Sequence, residues 1–220
     1  MMKFIRRFLI FLVLVLVGLG LLFMSFINSI RYQVTSDDLP QDVYETSGDL
    51  LDYAKTKMVD LILADEEDQY TIVEEILNLI ILDSIQKNMN TSYDPLGDCE
   101  EDACLYIFKN SPFFVNYAYA YLNDVDQMVV VVSGGSDKYI SVDTSIFLVF
   151  DIDIDIANLS INFTLDTYSF GERAMSMKML DFTMNRLDKA NIEDNMTFGE
   201  LDLDEYTYMI SLSDLDLPII

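Results

Sequence analysis

Metal-assisted hydrolysis in this chain would have to rest on carboxylates alone, because it contains no histidine. The usual general base near neutral pH and the commonest zinc ligand are therefore both missing. Hydrolases built on a Ser-His or Cys-His pair are excluded. The best-spaced carboxylates are Asp151, Asp153 and Asp155, whose D-x-D-x-D pattern matches the opening of an EF-hand calcium loop. That loop needs glycine at its sixth position and a bidentate glutamate at its twelfth, and here those places hold Ile156 and Asn162. Ile152, Ile154 and Ile156 alternate with the aspartates, so the segment reads as a strand with one solvated face. A strand cannot wrap three carboxylates around one ion, and no metal or cofactor is expected. Carboxylate-only hydrolysis is a further class, since 38 acids always offer pairs, yet nothing singles out one of them. The expected role is non-enzymatic.

Cys99 and Cys104 enclose Glu100, Glu101, Asp102 and Ala103, with Gly97 and Asp98 just before them. Outside the cytoplasm a disulfide is the default, stabilising by roughly 2 kcal/mol for so short a ring. Two idle thiols are the alternative. Catalysis or metal binding would need more ligands than this pair supplies.

The segment that positions the rest is Phe8 to Ile27, twenty residues in which only Gly18, Gly20 and Ser25 are not strongly apolar. As a helix it would span roughly 30 Å, the thickness of a bilayer's hydrocarbon core. Lys3, Arg6 and Arg7 precede it and the first acid is Asp37, which predicts a cytoplasmic N-terminus and a chain that continues on the far side. A cleaved signal peptide is the rival reading. The apolar run is longer than the usual signal core and lacks a small-residue cleavage site, which favours an uncleaved anchor. The expected organisation is a basic stub at 1–7, an anchor at 8–27, a stalk at 28–46 and an extracytoplasmic domain at 47–220.

Three of the 13 basic residues precede the anchor, leaving ten against 38 acids and a net charge of −28 beyond it. Nucleic acid and an anionic lipid surface carry the same sign and would repel this domain. Membrane proximity would have to come from the tether. Apolar residues make up 51% of the chain, enough for a real core under a solvated acidic surface.

Within the domain, Ser47 is a candidate cap for a helix carrying Leu50, Leu51, Ala54, Met58, Leu61 and Ile62 at helical spacing. An acidic break at Asp65 to Asp68 precedes a second helix, about Thr71 to Met89. Its stripe of Ile72, Val73, Ile76, Leu77, Ile80, Ile81 and Ile85 is wide enough to be covered on more than one side or to line a cavity. The period then changes to two. Tyr117, Tyr119 and Tyr121 share one strand face and Ala118 and Ala120 the other, and Met128 to Val132 reads as a strand buried on both faces. Ser133-Gly134-Gly135-Ser136 predicts a hairpin turn. Ile146 to Ile156 and Leu159 to Leu165 form the clearest strand pair. After Gly171 a helix is expected from about Glu172 to Lys189, its apolar face holding Met175, Met177, Met179 and Met184, and Thr197 to Ile220 reads as one or two more strands. Methionine adapts to irregular partners, so that face suits core packing or a flexible apolar ligand.

The order of elements gives an α+β fold, long helices on a mainly antiparallel sheet. The basic anchor, the isoleucine-rich helix, the strand pair Ser145 to Leu165 and the segment TYSFGERAMSMKMLDFTMNRL at Thr167 to Leu187 together resemble the membrane-anchored YpmS-type proteins of low-GC Gram-positive bacteria. Those resemble the tubular lipid-binding (TULIP) superfamily. The resemblance implies a strongly curved sheet with a long helix along it and an apolar groove for acyl chains between them. No catalytic motif carries over.

Two functions follow as expectations. One is a tethered module that binds lipid or another apolar ligand in a groove, with Ile72, Ile76, Ile80, Met175, Met177 and Met184 as candidate lining. The other is a cell-envelope scaffold with a packed core, meeting envelope proteins through its acidic surface or exposed strand edges.

Overall fold

The structure is a computed structural model that describes residues 24–44, 46, 48–97, 100–137, 142–158, 160–184 and 199–211. The fold is α+β, with helices on a strongly curved antiparallel sheet that forms half a barrel. Its long helices are α1 (Leu50–Leu63) and α2 (Glu66–Asn88), with a shorter α3 (Met177–Met184) later in the chain. The strands are β1 (Phe108–Asn110), β2 (Phe113–Leu122), β3 (Met128–Ser136), β4 (Val142–Asp155), β5 (Ser160–Phe170), β6 (Arg173–Ala174), β7 (Glu200–Asp202) and β8 (Thr207–Ser211). They lie in the order β1-β2-β3-β4-β5-β8-β7, with the short β6 folded back on β5.

Two register shifts go with the curvature. In β2 the shift falls between Val115 and Tyr117, and against β5 it falls between Val149 and Phe150 of β4. A bulge adds one residue to one strand, bends it and increases its twist. The first bulge also resets the alternation, so that Val115 and Ala118 share the concave face while Tyr117 and Tyr119 point outward. The strand pair β4–β5 has the expected alternation, and the tail contributes two strands as expected.

Both sheet faces are covered. On the concave side, Met58 and Leu61 of α1 and Val73, Ile76, Leu77 and Ile80 of α2 pack on Ala120, Met128, Ile161, Phe163 and Ile210. A second cluster, with Leu50, Ala54, Leu79, Leu82, Ile85, Tyr93 and Ile107, joins the two helices to the loop that follows them. On the convex side, Val34 and Leu39 pack on Tyr119, Val129 and Val131.

That third cluster alters the reading of residues 28–46 as a stalk. Val34, Leu39 and Val43 are buried, and the Tyr32 N–H donates to Asp143 O at 3.1 Å. Residues 31–44 are a strap bound across the sheet, because strands apolar on both faces need cover on both. Polar composition and Pro40 suggested exposure, whereas three well-spaced apolar residues decide the outcome.

Other boundaries also move. The cap of α1 is Asp49, whose Oδ1 accepts from Leu51 N and Asp52 N, while Ser47 lies outside the described residues. Helix α2 begins at Glu66 because Glu66, Glu67 and Asp68 suit a helix N-terminus, where the backbone dipole favours negative charge. Gly134 and Gly135 are strand residues of β3. A side chain at Gly134 would collide with Phe114 O, and one at Gly135 with Val142 O, so glycine here permits close strand approach rather than a turn. Glu172 to Ser176 is not helical: Gly171 turns with φ +55° and the chain pairs briefly with β5 before α3 starts. Of the expected anchor only residues 24–27 are described, within a helical stretch at 24–30. Among the described residues no helix is long and apolar enough to cross a membrane.

The contact that orients α2 is polar. Asn78 is 3% exposed; its Nδ2 donates to Ala120 O at 2.8 Å and its Oδ1 accepts from Ala120 N at 2.7 Å. One turn earlier, Glu74 Oε2 accepts from Leu122 N at 2.9 Å. Replacing Asn78 by alanine would leave both backbone groups of Ala120 buried without partners. Asn78→Ala is therefore expected to cost about 3 kcal/mol in urea unfolding, against less than about 0.5 kcal/mol for Asn88→Ala at the exposed end of the same helix.

Burial raises the Glu74 carboxyl above its ordinary 4.5, opposed in part by the Leu122 N–H. A carboxyl that holds its proton more tightly when folded loses stability as pH rises from the ordinary value through the raised one. Glu74→Gln keeps an acceptor for Leu122 N and removes the charge. Its stability relative to the parent is expected to climb across the window just above pH 4.5 in a pH series of urea titrations, and a pH-independent difference would contradict this account.

Candidate functional site

Tying α2 to β2 leaves the rest of the concave face only partly covered. Between the second half of α2 and the sheet lies an apolar cleft of about 750 Å³. Leu77, Ile80, Ile81 and Ile85 form its helical wall; Val115, Ala118 and Val132 form the floor, with Tyr208 on the far side and Ile107 and Phe108 near α2's end. Ser84 and Asn88 are its polar members. The size falls within the range usual for small-molecule sites.

The floor is low for a reason visible in β2. Ala118 and Ala120 both face inward, and small side chains opposite a helix leave room. Asn78 fills that room over Ala120. Over Ala118 nothing comparable is supplied, and the cleft results.

A second hollow, about 370 Å³, continues from the first and shares Val115 and Val132 with it. Its other walls include Phe113, Gly134, Val142 and Ile146. The glycines contribute to this hollow as well as to strand packing, since they present backbone where other residues would project. The two hollows make one apolar trough along the inside of β2 and β3.

Of the candidate residues, Ile80 lines the cleft. Ile76 is fully buried in the main core and Ile72 packs against its edge, so both hold the helix down. Met175 and Met177 lie beyond β5 at the start of α3, where the Met175 N–H donates to Tyr168 O at 3.0 Å, and neither reaches the cleft. Met184 closes the described part of α3, and its side chain lies outside the described residues. The expected meeting of the isoleucine stripe with the methionine face is therefore not what builds the trough. Its actual lining includes Ala118, whose face the alternation of β2 gives, and Val115, Val132 and Tyr208, with Val115 turned inward only by the bulge.

The polar candidates are structural. Asp151 and Asp153 are exposed, Asp151 accepting from Gln127 Nε2 at 2.8 Å. Asp155 closes the β4–β5 turn, its Oδ1 accepting from Asn158 N at 3.0 Å, and bonding to Asn158 draws its carboxyl below the usual range. Among the described residues no group of three or more His, Cys, Asp or Glu side chains could hold a metal ion. Cys104 is buried and disulfide-bonded; Cys99 lies outside the described residues. Burial pushes the hydroxyls of Tyr93, Tyr119 and Tyr208 well up, so the tyrosines stay neutral donors at ordinary pH.

In comparisons with known proteins, no family model matches the chain, and no curated protein and no solved structure matches it at significance.

Proposed function

We propose that this protein is a membrane-tethered, non-enzymatic module that holds an acyl chain or another flexible apolar ligand in the trough beneath α2. The tether is the run from Phe8 to Ile27, and the domain stands on the outer side of the membrane. The single observation carrying this reading is an apolar cleft of about 750 Å³ bounded by a long helix and a curved sheet. Burial is the whole of the binding chemistry, each methylene contributing about 0.8 kcal/mol on leaving water. The sequence resemblance to YpmS-type proteins and the tubular lipid-binding superfamily has the same implication. An envelope scaffold acting through its acidic surface would need no such space.

The test uses the full chain in nanodiscs containing phosphatidylglycerol with a photoactivatable group midway along one acyl chain. Irradiation and peptide mapping are expected to place label on residues 77–89 and 115–132 as well as on 8–27. Ala118→Phe fills the floor of the cleft. It is expected to lower the trough label roughly ten-fold, equivalent to displacing two buried methylenes, with labelling of 8–27 unchanged. Label confined to 8–27 in the parent protein would remove the lipid-binding reading and favour the scaffold.

A further inference from the structure

The sheet's two ends are different. Phe113 pairs with Ser136, Ser136 with Val142, and Ile146 with Phe170, so the start of β2, the end of β3, the start of β4 and the end of β5 all lie at one end. The chain enters at this same end. The Ile30 carbonyl accepts from Thr144 Oγ1 and lies where any side chain on Gly171 would have to go. The Arg173 guanidinium lies over the Phe26 ring, 4.9 Å from its centre. From Ile30 back to Ile27, the last residue of the expected anchor, is about 5 Å of helix. Wherever the anchor leaves the bilayer, this end of the sheet is within a turn of it.

The trough opens at that end too. Helix α2 runs from Leu122 toward Val115, so its last residues, with Phe108 and Phe113, surround the mouth. Met89 is 70% exposed, Phe108 51% and Phe113 63%. Phe113 belongs to β2, three strands or about 14 Å across the sheet from Gly171. A cluster of large apolar side chains left in water beside an apolar trough marks a contact surface. Charge does not explain it: Arg31, Lys109 and Arg173 stand at this end, and so do Asp137, Asp143 and Glu172. Attraction to anionic head groups largely cancels, and the apolar rim remains.

We propose that the rim of Met89, Phe108 and Phe113 docks in the bilayer that holds the tether, and that the trough takes a phospholipid acyl chain sideways from the adjoining leaflet. This rests on the lipid-binding reading above. It adds a direction, in which the ligand passes from membrane to trough without crossing water. A free lipid carried in solution would need no rim at the membrane end.

The chain contains no tryptophan, so a single introduced one reports its own surroundings. Phe113→Trp places it on the rim. Val125→Trp places it at the 69%-exposed turn between β2 and β3, at the opposite end of the sheet. Each full-length variant is reconstituted in phosphatidylcholine vesicles containing lipid brominated on its acyl chains. Emission of the Phe113→Trp protein is expected to fall by half or more, and that of the Val125→Trp protein to stay unchanged. The drop should persist when phosphatidylglycerol is added, since docking is apolar. Equal quenching of both variants, or of neither, overturns the docking even if the trough is labelled by photolipid. Quenching of the rim variant alone, with an unlabelled trough, overturns uptake together with the lipid-binding reading. In Phe113→Asp the trough label should fall with the 8–27 label preserved, and undiminished trough label would overturn the route.

Discussion

A strand edge that has to be satisfied determines where everything else lies. Strand β1 pairs only with Phe113, Phe114 and Val115, which leaves most of β2 without a strand neighbour on that side. Backbone groups buried without partners are costly, so the edge needs donors and acceptors from elsewhere. Side chains supply them: Asn78 takes both groups of Ala120, Glu74 takes Leu122 N, and the Tyr93 hydroxyl donates to Asn116 O at 2.9 Å. Helix α2 thus replaces a missing strand. It is held along the margin of the sheet, where a helix placed by apolar contact alone would settle over the middle.

The trough is a consequence of that placement. With α2 tied to the margin, its inner side covers Ala120, Met128 and the strands beyond near one end only. Its other side meets α1, where Lys57 Nζ and Glu75 Oε2 lie 2.6 Å apart across the helix pair. Over Ala118, Val132 and Val115 the second half of α2 stands off from the sheet, and the cleft lies between them. Space beneath α2 and rigidity of α2 therefore share one cause, a polar clamp that allows no slide toward the centre.

The outer face shows the complementary economy of surface. Along β4, Phe147 and Val149 point outward where the strap of residues 31–44 crosses, and Asp151 and Asp153 point outward where it has passed. Tyr32 meets Phe147 edge-on, ring centres 5.0 Å apart. The change from apolar to acidic along a single strand face follows the strap's edge. Most of the chain's negative charge can then stay in water without disturbing a sheet buried on both sides near its middle.

Local periods are written in the order of residues. The strands from Tyr117 to Leu165, the two long helices and the α+β order follow from repeats of 2 and 3.6, which record which face of each element avoids water. The excess of acid and the lack of histidine, which removes the usual base for catalysis, were equally legible. Which apolar faces meet depends on contacts between residues far apart in the chain. Gly134 and Gly135 looked like a turn because conformational freedom is all a glycine shows in isolation, whereas their use depends on the carbonyls of Phe114 and Val142 from neighbouring strands. The methionines of α3 looked like partners for the isoleucine stripe because both are apolar, and apolar attraction carries no address. Addresses came from directional bonds such as Asn78 to Ala120, forty-two residues apart. No local pattern encodes a pairing of that kind, and it is the pairing that leaves the cleft open.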